Sequence, residues 1–189
     1  MTWSRTILAC LAMSTTPHPA VAASPSDQMP LPPACKKAVS TDGHYLFEAC
    51  STDQWRSRHA TGRLMENTAH GTRTVWERPL PQEYGPRYVV VGRQGQVVLF
   101  DEAINVKSRY AVVLMRQAER GDVIHAYEAV RLALGQSAAA IMDHAQSGWW
   151  LQGAPSLNAA GTQALAPVAN TFLAVDLETG ALSVLEPGR

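Results

Sequence analysis

The chain has 189 residues, 46% hydrophobic and 17% charged, with 16 basic and 16 acidic side chains. That length gives one domain with a real core and leaves little room for a second. With a formal net charge of zero, it has no long-range pull on phosphate backbones or anionic lipid. Nucleic acid and membrane surfaces are therefore not expected partners, and no apolar run is long enough to cross a bilayer.

Residues 1–23 have the features of an export signal. Arg5 is the only charge, residues 7–13 form a short apolar run, and Ala20, Val21, Ala22 and Ala23 supply small residues for cleavage after Ala22 or Ala23. Residues 7–10 faintly resemble a bacterial lipoprotein signal in which Cys10 would take the lipid, although little apolar sequence precedes it. Residues 24–34 contain Pro25, Pro30, Pro32 and Pro33 and read as an extended tether. Residues 35–189 then form a single β-rich domain.

Cleavage removes Cys10 and leaves Cys35 and Cys50, an even count that suits an oxidising compartment. A hairpin turning at Asp42 and Gly43 sets Cys35 opposite Cys50 and Lys37 opposite Glu48, so a cross-strand disulfide is expected. With a two-residue turn the cysteines fall on a hydrogen-bonded pair, the wider of the two kinds, unless a bulge intervenes.

Residues 51–70 are polar, with Trp55, Leu64 and Met65 as anchors, and read as a surface excursion with a short strand or helical turn. A strand is expected over 72–78, ended by Pro79, Pro81 and Pro86. Residues 87–102 carry the clearest signal: β-branched runs at 88–91 and 97–100 flank Gly92, Arg93, Gln94 and Gly95. Strands at 110–116 and 122–127 follow, making four strands in about 42 residues. Ala129, Val130, Ala133 and Leu134 share one helical face, with Gly135 as the stop and a second short helix over 137–144. Trp149, Trp150 and Leu151 read as a strand, 158–162 as a turn, and 163–168 as a strand broken at Pro167. A last hairpin joins 171–177 to 181–185 over Glu178, Thr179 and Gly180.

The four strands of 87–128 have the layout of one propeller blade. Residues 172–180, with Asp176 ahead of Thr179 and Gly180, resemble the blade hairpin of β-propeller repeats, as residues 40–43 and 87–102 do to a lesser degree. A closed propeller needs at least four blades of about 40 residues, more than the mature chain holds. Three arrangements remain: two packed four-stranded sheets, a partial propeller completed by self-association, or a twisted sheet capped by the helical stretch. The first asks least, since a lone sheet leaves an apolar face wet. The expected fold is mainly β, built of antiparallel meander hairpins with a helical insertion near 126–145.

No stretch has the pattern of a nucleophile elbow, and no cofactor motif is present. Asp101 and Glu102 are adjacent on a strand and point to opposite faces, so they do not converge on one substrate atom; strand-end carboxylates of this kind, like Glu119, Glu128 and Asp143, are expected to be solvated or to cap a turn. Glu66 and His70, with His59 nearby, and the isolated His125 fall short of a metal-ligand set. Of Trp149 and Trp150, one faces inward if they lie in a strand, and the other is free to bind a sugar ring or a protein. Trp55 raises the same question. Arg56 and Arg58, with Arg63, Arg73 and Arg78, offer a local basic face.

The reading that follows is an exported, non-catalytic binding protein of the periplasm or exterior, recognising a protein partner of the envelope as an inhibitor or immunity-type protein would. An envelope hydrolase acting on glycan or peptide, and a carbohydrate-binding module using Trp149 or Trp150, are the alternatives.

Overall fold

The computed structural model describes residues 31–104, 109–117, 120–144 and 150–186; the expected export signal, Cys10, Glu119 and Trp149 lie outside them. The fold is mainly β, with three antiparallel four-stranded sheets. The first holds β1 (Cys35–Val39), β2 (Tyr45–Ser51), β3 (Ala60–Thr68) and β4 (Gly71–Pro79) in chain order. The central sheet holds β5 (Pro86–Val91), β6 (Val97–Glu102), β7 (Val112–Met115) and β8 (Val123–His125). Helix α1 (Tyr127–His144) leads to the third sheet: β9 (Ser156–Leu157), β10 (Gln163–Val168), β11 (Thr171–Asp176) and β12 (Leu182–Leu185).

The sheets stack, and the stack is three deep rather than the two that the simplest expectation allowed. The reason lies in the central sheet, whose strands are apolar on both faces. Val97, Leu99, Val113 and Met115 pack against Tyr45, Phe47 and Leu64 of the first sheet. Their neighbours Val98, Phe100, Val112 and Leu114 face the other way, against Ala164, Ala166, Leu173 and Val175 of the third. All six residues of β6 are buried. Successive side chains point to opposite faces, so a strand buried on both needs an uninterrupted apolar run.

The first hairpin has the expected register, Cys35 opposite Cys50 and Lys37 opposite Glu48, and the cysteines form the disulfide. Its turn is wider than two residues. Ser40 donates its N–H to Tyr45 O at 2.9 Å, closing a loop over residues 41–44, and Ser51 donates to Ala34 O at the far end. Hydrogen-bonded pairs therefore alternate from Ser40–Tyr45, and Cys35–Cys50 falls on a close, non-hydrogen-bonded pair with Cα atoms 4.1 Å apart. The outer face of this sheet is charged. Lys37 meets Glu48 at 2.5 Å, and Arg63 meets Glu77 at 2.8 Å one strand further on.

Two local expectations are corrected. Nine residues of the polar stretch from 51 to 70 form strand β3: Ala60 and Leu64 alternate inward, while Gly62 sits under Leu80 and Phe47, where a larger side chain would collide. Small residues supply its inward face, so it lacks an apolar signature. Pro167 does not break β10, because that side of the backbone faces past β9; there Pro167 O accepts the Gln152 N–H at 3.0 Å. Residues 150 and 151 are outside strand structure. The helix follows the expected span, with a non-helical break at Gly135, and buries Val130 and Leu134 in the core between the central and third sheets. The last tether residues are held by the fold, since Pro32 O accepts the Trp55 indole N–H at 2.9 Å.

This packing sets an expected stability pattern. Leu99→Ala leaves a cavity in a strand with no exposed face and should cost about 3–5 kcal/mol, a large share of a domain's typical stability. Val39→Ala, at a side chain 57% exposed, should fall within about 0.5 kcal/mol of wild type. Urea denaturation of both variants checks the contrast.

Candidate functional site

Hairpin turns from all three sheets meet at one end of the stack. The β5–β6 turn is closed by Gly92 N–H to Gln96 O at 2.7 Å and by Gly95 N–H to Gly92 O at 3.2 Å. It is wedged between its neighbours. A Cβ on Gly95 would lie 3.1 Å from the Tyr45 ring and 3.3 Å from Leu64, and one on Gly92 would lie 3.0 Å from Leu177. Glycine at both positions lets the central turn seat against the first and third sheets at once.

The flanking turns are built by short polar side chains. Asp42 accepts from Ser40 Oγ at 2.6 Å and from His44 N–H at 3.1 Å, and these bonds, the Ser40 bond foremost, hold its carboxyl below the usual range. Asn158 Oδ1 accepts the Thr162 N–H at 2.9 Å. Asp176 Oδ1 accepts from the Thr179 N–H at 2.7 Å and hydroxyl at 2.8 Å, which lowers its pKa. Such Asx turns fix loop shape without a core of their own.

Arg116 ties the end together. Its guanidinium donates to Gly121 O, Arg120 O and Glu178 O at 2.9, 2.8 and 2.6 Å. Its own carbonyl accepts from Arg78 Nη2 of the first sheet at 2.9 Å, and Arg78 also pairs with Asp122 at 2.8 Å. Arg120 pairs with Glu178 at 2.5 Å. Between these turns lie two adjoining clefts of about 270 Å³ each. One is lined by Gln94, Gln96, Arg116, Gln117 and Arg120; the other shares Gln94 and Gln96 and adds Arg93, Thr162 and Glu178.

The opposite end of β6 carries the two carboxyls. Both are buried, which corrects the expectation that they are solvated, and they diverge as alternation requires. Asp101, at φ 52°, accepts the Trp150 indole N–H at 2.6 Å, while its Oδ2 has no hydrogen-bond partner among the described residues. Burial pushes its pKa up to about 7, against the pull of Trp150 and Arg87. Glu102 turns to the other face, where Oε1 accepts the Tyr84 N–H at 2.5 Å, so it does cap a turn. Burial raises its pKa to about 7 as well. Lys36 donates to Pro86 O at 2.9 Å and to Arg87 O, and burial lowers its pKa.

Neither a family model nor a curated protein matches this chain.

The candidate residues read from the sequence are dispersed by the fold. Trp150 is fully buried, and Trp55 is buried beneath the 80–85 loop, 5.7 Å from the Tyr84 ring, so neither presents a sugar-binding face. Trp149 lies outside the described residues, as do the side chain of Asp143 and all of Glu119. Arg56 and Arg58 are exposed on the 51–59 loop, which Asp53 braces through Ser57 N–H at 2.8 Å. Arg58 stands 4.0 Å from Glu83. The other arginines do not join them: Arg63 pairs with Glu77, Arg73 with Glu66, and Arg78 with Asp122. His44 and Arg73, not His70, are the partners of Glu66, and His125 is bonded to Gly180 O at 2.7 Å. Among the described residues no group of three or more His, Cys, Asp or Glu side chains is placed to hold a metal. The turns are each marked in the sequence by glycine and short polar residues, but no motif in it shows that they converge.

The two buried carboxyls set the sign of a pH effect. Their folded pKa values lie above the unfolded ones, so the folded state binds more protons between about pH 4 and 7. Their contribution is fully present below pH 4 and is lost as pH rises through 7. Below about pH 4 the carboxylates held low by hydrogen bonds, Asp42, Asp53, Glu66 and Asp176, act in the opposite sense. Stability should therefore peak near pH 4–5 and fall by several kcal/mol by pH 8, one pKa unit being worth about 1.4 kcal/mol. Asp101→Asn should flatten that decline, as read from urea midpoints at pH 5 and pH 8.

Proposed function

We propose that this is an exported binding protein, acting in the periplasm or outside the cell, that recognises a protein partner through the turn end of its sheet stack. One observation carries the reading: turns from three sheets are packed against one another, and those of the central and third sheets line two adjoining clefts that bear amide and guanidinium groups. Loops held on a rigid scaffold are where recognition is usually placed, and a mixed amide and guanidinium lining suits a peptide surface. The Cys35–Cys50 disulfide is consistent with an oxidising compartment. The divergence of Asp101 and Glu102, each occupied by a structural hydrogen bond, gives no support to paired carboxylate catalysis.

Site-specific photocrosslinking in envelope preparations tests this directly. A photoreactive residue at Gln94 or Gln117 should yield a discrete crosslinked protein, whereas the same residue at Lys37, on the charged outer face of the first sheet, should yield none. Equal yields from both faces, or none from the turn end, would refute the assignment. Intact mass of the secreted form should place its first residue at Ala23 or Ser24.

A further inference from the structure

Arg93 is the side chain at which all three sheets meet. It projects from the β5–β6 turn of the central sheet, and its Nε–H donates to Thr41 Oγ1 in the β1–β2 turn at 3.4 Å. Its guanidinium lies on Gly161 of the β9–β10 turn: a Cβ there would fall 3.3 Å from Nε and 3.5 Å from Cζ. Gly161 has φ +72°, so any other residue would be strained as well as crowded. The guanidinium is thus contacted from two sides; Arg93 is exposed and lines the cleft, and among the described residues its Nη1 and Nη2 groups make no hydrogen bond.

The neighbouring charges are committed elsewhere. Arg116 spends its donors on three carbonyls, Arg120 pairs with Glu178, and Asp176 caps its own turn. Among the described residues the charged side chains lining the clefts are Arg93, Arg116 and Arg120, with Asp176 and Glu178. Two coplanar Nη donors match the two oxygens of a carboxylate. Gln94 and Gln117 supply amides able both to donate and to accept, as a peptide backbone demands.

We infer that Arg93 is a carboxylate anchor, and that the turn-end clefts take a peptide segment bearing a free C-terminus or an acidic side chain. This rests on the turn-end reading above and names the chemistry of its partner. The test uses the oxidised, secreted protein, labelled with ¹⁵N and titrated with three probes: N-acetyl-Ala-Ala, its C-terminal amide, and N-acetyl-Asp-amide. The expected result is saturable shifts of the Arg93 Nε–H and the Gln94, Gln96 and Gln117 side-chain amides with one or both acids. At least a tenfold weaker response is expected with the amide. Arg93→Gln should abolish the acid response, and Arg93→Lys, which keeps the charge but loses the fork, should retain part of it. Unchanged backbone shifts at Gly92 and Gly95 in each variant show that the turn is intact. Response to the acid alone or to the aspartyl probe alone tells which carboxylate source is read. Equal response to acid and amide, an acid response that survives Arg93→Gln, or no response in the wild-type protein would overturn the inference. A turn-end crosslink that persists in Arg93→Gln overturns the anchor alone, whereas absence of any turn-end crosslink removes the underlying reading too.

Discussion

The structure depends on a strand with no exposed face. β6 runs through the middle of the molecule with the first sheet on one side and the third on the other, and its six residues are all buried. A sheet in that position tolerates polar groups only at its strand ends, because an unpaired polar atom in either core costs several kcal/mol. Asp101 and Glu102 obey that rule. They stand at the end of β6, each held by hydrogen bonding on its own side, and burial drives both toward the neutral form.

The same constraint shapes the other end. With the central sheet clamped from both sides, the β5–β6 turn emerges between two neighbouring sheets, and glycine at 92 and 95 lets it sit against Leu177 on one and Tyr45 and Leu64 on the other. Arginines then bridge the gaps that backbone pairing cannot. Arg78 reaches from the first sheet to the central one, and Arg116 from the central to the third. The polar end is stiff for these reasons, and stiffness lowers the entropy lost when a partner is bound. The opposite end is closed by Trp150, Tyr84 and the braced 51–57 loop, so an open, polar, preorganised surface is found at the turns.

Much of this was legible in the residues, for reasons specific to each element. Gly43, Gly95 and Gly180 marked three hairpins, and the opposition of Cys35 to Cys50 followed from register alone. Gly135 ended the first helical segment because its backbone leaves the helical region there. The number of sheets was harder to see. The apolar runs at 88–91, 97–100 and 111–115 lack alternation, which is the mark of strands covered on both faces, yet the same composition fits a strand with one wet face if one neighbour is missed. β3 was hidden because its inward positions are Ala60, Gly62 and Leu64, too small and too few to show a period. The site was least visible. Arg93 gains its role from Thr41 and Gly161, which are distant in sequence, and only the packing of three turns brings them together.

Native-state hydrogen exchange, resolved by residue, addresses the central claim most directly. If β6 is the strand on which both cores close, amides of Val98, Leu99 and Phe100 should exchange only through global unfolding and should be the slowest in the molecule, while those of 71–74 on the exposed β4 edge exchange orders of magnitude faster. Protection in the first or third sheet that outlasts protection in β6 would contradict a stack organised around its central strand.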